Sequence, residues 1–276
     1  MSNLITRTIT GAIFVILVVG SILLNHYLFS IVFFVFTMLG VAEFYTIVGK
    51  EQFKPQRNTG IFISLIVYSF VAYISISNHT ISLLFFLIPL FFIPFIIELF
   101  RNKPFPITNL SVTLLGIIYV AIPLSLLNFI PNIAFETGVY NKGILLGLFI
   151  LIWTNDTFAY LFGVKFGRNR LFERISPKKS WEGSIGGLVF SMIAAFFLSI
   201  FFNELSCLEW IGMAIIIVIF GTLGDLTESM FKRSLNIKDS GNILPGHGGI
   251  LDRLDALFVS VPFVFFYLIL INLLKK

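Results

Sequence analysis

Toward its C-terminal end the chain reads GTLGDLTESMFKRSLNIKDSGNILPGHGGILDRLDAL, and its ionisable residues come in an order that suits phosphate chemistry. Asp225 and Glu228 stand three apart and share one helix face, with Lys232 near the same stripe. Arg233, Lys238 and Asp239 follow, close to Ser229. A glycine-rich turn, LPGHGG, contains His247. Asp252 and Asp255, again three apart, then open the next helix around Arg253. Carboxylates around a wet pocket repel one another unless a hard cation neutralises them, and Mg²⁺ prefers oxygen ligands shared between carboxylates and substrate phosphates. Lysines and arginines in the same stretch suit an anionic oligophosphate. Gly246, Gly248 and Gly249 permit positive φ or a close backbone approach, and N–H groups of such a turn can donate to an anion. Acids at a helix N-terminus also complement its dipole, but that does not account for acids on the preceding helix. The residues read as a metal-dependent phosphate site.

A second polar block, NDTFAYLFGVKFGRNRLFERISPKKSWEGSIGG, supplies Asn155 and Asp156 late in an apolar run. Lys178, Lys179 and Ser180 form a second basic wall, and Trp181 suits a membrane interface. Arg168, Arg170 and Arg174 read as topology determinants. Glu43 and Glu98 read as acids that snorkel or pair with nearby Lys50 and Arg101.

What must position these groups follows from composition. Of 276 residues 57% are hydrophobic, 34 are Phe, and 12% are charged, about half the charge of a soluble domain. The chain is expected to be an all-α, polytopic integral membrane protein. Runs near 8–24, 28–48, 60–77, 81–99, 108–129, 143–163, 185–202, 209–228 and 254–272 are each about long enough to span. With the N-terminus cytoplasmic, every one of the 19 Lys and Arg except Lys142, Lys275 and Lys276 falls on the cytoplasmic side. That bias puts the polar site at the cytoplasmic ends of the C-terminal helices and the C-terminus on the opposite side. Both long polar segments, about 164–184 and 229–253, are then cytoplasmic loops. The chain reads as one membrane domain, 1–276, with N-terminal helices in 1–140 and a catalytic region in 141–276. Pro89, Pro94, Pro123 and Pro262 should disturb their helices, and the glycines of GSIGG and GTLGD should let helices approach closely. A single Cys207 and three scattered histidines give no disulfide and no zinc pattern. The net charge of +5 reflects orientation and contact with anionic lipid or nucleotide, not nucleic-acid binding.

These residues alone leave two readings open: lipid-phosphate chemistry, and secondary transport of a phosphorylated metabolite, which also uses broken helices and intramembrane acids. The segments SMFKRSLNIKD and LPGHGGILDRLD, with the NDT-to-GSIGG block, closely resemble the signature of phosphatidate cytidylyltransferases, the CDP-diacylglycerol synthases. The resemblance covers most of the C-terminal half and loosely the whole chain. It implies an enzyme of the bacterial inner membrane, a homodimer, that joins CTP and phosphatidate to give CDP-diacylglycerol and pyrophosphate. It implies Mg²⁺ and a second, monovalent cation such as K⁺. By resemblance the metal falls to Asp225 and Asp252, with Asp239 and Asp255 on further signature acids. Lys232, Arg233, Lys238, His247 and Ser229 match polar positions, as do Asn155, Asp156, Lys178, Lys179, Ser180, Trp181 and Glu182. Phe158 stands where the pattern has a small residue. A CTP-dependent polyprenol or phytol kinase, attacking the γ-phosphorus and releasing CDP, is the nearest alternative.

Overall fold

The structure is a computed structural model that describes residues 3–49, 53–77, 79–133, 140–237, 239–241, 243, 246 and 248–275. Among the described residues nine helices are long and apolar enough to cross a membrane, matching the nine expected runs. The protein is an all-α integral membrane protein.

The first two helices, α1 (Asn3–Leu24) and α2 (His26–Val48), are separated by Asn25 alone. Asn25 is extended, and its side chain accepts from the Leu28 N–H at 2.8 Å, restarting the helix as an N-cap. After α3 (Arg57–Ile76) the fourth span starts as a 3₁₀ helix, Ile81–Phe92, with Pro89 inside it, and becomes α4 (Ile93–Arg101) at Pro94. The fifth span, α5 (Pro106–Gly116), passes through a π turn, Ile117–Ala121, into α6 (Ile122–Leu126). Pro123 lacks an N–H and cannot continue the α ladder, and the wider turn lies just ahead of it. Pro89, Pro94 and Pro123 therefore mark irregularities as expected; Pro262 does not, because the last helix, Leu251–Leu274, runs through it as one α-helix.

A short α7 (Ile130–Ile133) precedes α8 (Lys142–Phe166). The segment after α8 was expected to be a loop. It contains an antiparallel hairpin of β1 (Arg170–Phe172) and β2 (Ser176–Ser180), with Arg170 opposite Ser180. α9 (Trp181–Phe201) starts at once, capped by Ser180, whose Oγ accepts from the Gly183 N–H at 3.2 Å. α10 (Cys207–Ser234) continues past the expected end at 228, so Asp225 and Glu228 lie within the helix. α11 (Leu251–Leu274) begins just before the expected 254.

The chain forms two compact units. One comprises residues 1–129 and 234–254, the other 130–233 and 255–276. In the first, Gly60 and Gly116 leave room for the Tyr45 ring, whose hydroxyl donates to the Thr113 carbonyl at 2.5 Å. In the second, α8 packs closely on α9. A Cβ at Gly183 would lie 2.6 Å from the Ala159 carbonyl oxygen, and Phe158 stacks on Phe190 with ring centroids 3.7 Å apart. Gly147 gives up its side-chain space to the buried Trp210 indole.

That last contact predicts a contrast. A Cβ at Gly147 strikes the Trp210 ring, whereas one at Gly20 meets nothing within 4 Å. Gly147→Ala should cost about 3 kcal/mol, the upper end for overpacking. Gly20→Ala should be neutral or slightly stabilising. Thermal unfolding of the purified protein in detergent reads the difference.

Candidate functional site

Within the second unit, three helices and the hairpin surround one cleft that carries charged and polar side chains. Its volume is about 450 Å³, within the range of small-ligand sites. α8 contributes Asn155, Asp156, Tyr160 and Gly163, α10 contributes Gly221, Thr222 and Asp225, and the hairpin contributes Arg170, Lys178, Lys179 and Ser180. The hairpin is fixed by Glu182 in the first turn of α9. Its carboxylate accepts from the Arg168 and Asn169 N–H groups, both at 3.1 Å, and from the Asn169 amide at 2.7 Å. The backbone of Trp181 donates to the Asn169 carbonyl at 3.0 Å. A basic wall is thus held against an acidic one.

The two walls touch. Lys179 Nζ bridges Asp225 Oδ2 at 2.5 Å, with both side chains part-exposed, and Ser229 Oγ donates to Asp225 Oδ1 at 3.3 Å. One turn along α10, buried Glu228 is paired with Lys232 at 2.5 Å. Asp255, on α11, lies within electrostatic reach of Asp225, Glu228 and Asp156, and its Oδ1 accepts from the Ala256 N–H at 2.7 Å. Gly224 permits this approach, since a Cβ there would sit 2.5 Å from the Asp255 carbonyl oxygen. Four carboxylates from three helices are therefore gathered in one unit with two lysines bound among them. Beside them, buried Asn155 Oδ1 has no hydrogen-bond partner. Carboxylate oxygens are the donor type that a hard divalent cation takes. Among the described residues, however, no three His, Cys, Asp or Glu stand ready-grouped as metal ligands.

The first unit holds the glycine turn. Asp252 Oδ2 accepts from the Ser240 N–H at 3.0 Å, the Ser240 hydroxyl at 2.8 Å and the Gly249 N–H at 2.8 Å. Gly248 has φ +82°, and a Cβ there would strike the Asp252 carboxylate. A side chain at Gly249 would collide with Glu43. Glu43, buried on α2, accepts from the Leu251 N–H at 2.9 Å through Oε2, and its Oε1 has no hydrogen-bond partner. The turn is thus clamped by one acid from its own helix and another from α2.

Over residues 5–271 the chain matches the cytidylyltransferase family. The chain belongs to the cytidylyltransferase family. It is 44% identical over 129 residues to a protein named phosphatidate cytidylyltransferase from Haemophilus influenzae, covering 45% of each chain. A protein of that name from Staphylococcus aureus is 45% identical over 130 residues, 46% of this chain and 50% of its own. One from Staphylococcus saprophyticus is 40% identical over 164 residues, 59% and 60% respectively. The chain spans about half the length of the curated relatives it matches.

For a cytidylyltransferase-family chain, the expected site residues are distributed unevenly. Asn155, Asp156, Lys178, Lys179, Ser180 and Asp225 line one cleft. Asp255, Ser229 and Lys232 join its carboxylates as described above. Ser180 also serves as the α9 cap. Asp252, Gly248 and Gly249 belong to the clamped turn, where the Gly249 N–H expected to face a ligand is engaged by Asp252. Arg233, Asp239 and Arg253 are exposed. Lys238, His247 and Lys50 lie outside the described residues. Glu98 pairs with Arg101 at 2.7 Å, as expected. Glu43 does not snorkel; it is buried against a turn about 200 positions away, a partnership no local pattern signals. Arg170, read as a topology charge, lines the cleft; no local signal marked it, because the hairpin that carries it has none of the apolar alternation of a strand.

Removing the Glu43 carboxylate should loosen the turn. Glu43→Ala leaves the buried Leu251 N–H unpaired, a loss of about 1–3 kcal/mol. Amide exchange at Leu251 should quicken about tenfold or more, measured by hydrogen–deuterium exchange. Glu43→Gln, which keeps a carbonyl acceptor, should fall between the two.

Proposed function

We propose that this chain transfers a cytidylyl group from CTP to phosphatidate, giving CDP-diacylglycerol and pyrophosphate at the cytoplasmic membrane surface. The observation that carries the reading is the cleft of the second unit. There a lysine-bearing hairpin faces helix-borne carboxylates, and Lys179 holds Asp225. The family match and the names of the relatives support the same chemistry.

In this reading a phosphate oxygen of phosphatidate attacks the α-phosphorus of CTP in line. The bond between that phosphorus and the α,β-bridging oxygen breaks, and pyrophosphate leaves with the electron pair. The phosphate is already a nucleophile near neutral pH, so no covalent enzyme intermediate and no obligatory base are needed. The chain's work is to bring two anions together and hold them. Lys178, Lys179 and Arg170 receive phosphate oxygens. Lys179 can leave Asp225 for a phosphate because the pair is part-exposed and worth little by itself. Asp225, with Asp255 and Asp156 nearby and Asp252 by resemblance, would hold Mg²⁺. When bound, the ion would neutralise charge on the approaching phosphates and on the leaving group. Tyr160 and Val164, exposed on α8 beside the cleft, leave the acyl chains in the bilayer.

Purified protein given CTP, phosphatidate and Mg²⁺ should form CDP-diacylglycerol and pyrophosphate in equal amounts, and chelation should stop turnover until Mg²⁺ is restored. Asp225→Asn should lower kcat by about 10²-fold or more, the scale seen when one electrostatic stabiliser is lost. Lys179→Gln should mainly raise the KM for CTP. Release of CDP in place of pyrophosphate would indicate kinase chemistry, and wild-type turnover in Asp225→Asn would remove the site assignment.

A further inference from the structure

The first unit contains a second concave site, which the catalytic reading leaves unexplained. It lies where α2 ends and α3 begins, beside the turn joining α4 to α5. Its volume is about 540 Å³, and its lining includes Lys54, Arg57, Arg101 and Lys103. Four cations around one hollow repel one another, so the arrangement needs either a counter-charge or an anionic occupant. Among the described residues the acid at hand is Glu98, and it is committed. Its Oε2 takes Arg101 at 2.7 Å and the Gln56 amide at 2.7 Å, while Oε1 takes the Asn109 amide at 3.0 Å.

That buried network does more than neutralise one arginine. Asn109 Oδ1 accepts from the Lys54 N–H at 2.8 Å, Thr113 Oγ1 accepts from the Gln56 N–H at 2.8 Å, and Arg101 donates to the Lys54 carbonyl at 2.9 Å. The Asn109 amide also reaches the Pro104 carbonyl at 2.8 Å. The backbone of both segments that carry the cations is thereby pinned to buried side chains, and the Arg101 guanidinium is oriented in advance. A cation held in place beforehand lowers the ordering cost of binding an anion.

The surroundings indicate where the anion comes from. Leu99, Phe100, Phe105 and Ile107 flank the basic residues in sequence and are largely exposed, Phe100 and Ile107 each at 80%. In a membrane protein such side chains face acyl chains. A cation-lined pocket whose basic residues are neighboured in sequence by exposed apolar side chains matches a phospholipid, with phosphate in the hollow and chains against the apolar surface. Basic pockets between membrane helices bind anionic headgroups in this way. We propose that this pocket holds the phosphate ester headgroup of one anionic phospholipid, at a site separate from the cleft between the hairpin and α10. The proposal does not depend on the catalytic reading.

Native mass spectrometry of the full-length protein in detergent tests it. The probes are phosphatidylglycerol, phosphatidylcholine and glycerol 3-phosphate. The triple variant Lys54→Gln/Arg57→Gln/Lys103→Gln leaves Arg101 and its network in place. A control, Arg7→Gln/Lys142→Gln/Arg174→Gln, removes the same charge elsewhere. Wild type and control should retain one phosphatidylglycerol, and the triple variant should bind it about tenfold more weakly. Phosphatidylcholine should bind about tenfold more weakly to wild type, and glycerol 3-phosphate should not displace the lipid. If the triple variant does not accumulate, Arg57→Gln alone should weaken retention about threefold. Equal loss in the control, undiminished retention in the variants, or displacement by glycerol 3-phosphate would overturn the proposal.

Discussion

A charge in hydrocarbon must be paired, wet or absent, and that constraint governs where this chain can keep its few acids. Glu98 is answered by Arg101, Gln56 and Asn109. Glu228 is answered by Lys232, and Glu209 by Lys275 at 2.8 Å with the Ser206 N–H at 2.7 Å. Glu43 takes a backbone N–H. Pairing of this kind adds little net stability, because desolvation opposes the attraction. Its consequence is geometric: once each acid has its donor, the loop or helix end that carries the donor can no longer drift.

The same constraint separates what was legible in the sequence from what was not. Nine apolar runs with cations between them were readable because length and hydropathy are local properties. Pro89, Pro94 and Pro123 announced irregular helix for the same reason, though not its 3₁₀ or π form, and Pro262 announced a break that α11 does not make. The hairpin at 170–180 was not readable. Its strands are short and rich in charge, with none of the apolar alternation that marks a strand. It is held by Glu182 and Asn169, not by a buried face. The Glu43 clamp was hidden for another reason. A lone glutamate near the end of an apolar helix resembles an interfacial side chain until its partner, far along the chain, is known.

The glycines were read as serving two separate needs, helix contact and turn conformation, and the structure keeps the two apart. In GSIGG the glycines serve helix contact: Gly183 accommodates the Ala159 carbonyl, and Gly187 the Asn155 side chain. That contact holds Asn155 beside the cleft, so packing and site are joined through one residue. In the PGHGG turn the need is conformational at Gly248 and steric at Gly249, where the Glu43 carboxylate occupies the space a side chain would take. The expectation of a backbone approach was sound in geometry, but in the described residues what approaches is the chain's own carboxylates.

Asp225 and Asp252 look equivalent in the sequence, each opening an acidic pair spaced for one helix face. Their partners differ in kind. Asp225 is held by a lysine side chain, with the two groups 37% and 25% exposed. A lysine on a flexible stem can move to another anion without disturbing the backbone. Asp252 is held through Oδ2 by two backbone N–H groups and the Ser240 hydroxyl. Those donors cannot leave unless the turn itself rearranges. A carboxylate with an exchangeable cation is suited to trading that cation for another as a ligand arrives. A carboxylate fixed to backbone keeps its position throughout and can present only the valences the turn leaves to it. The two acids therefore bring different properties to the proposed chemistry: adjustable charge at Asp225, and a fixed reference point at Asp252.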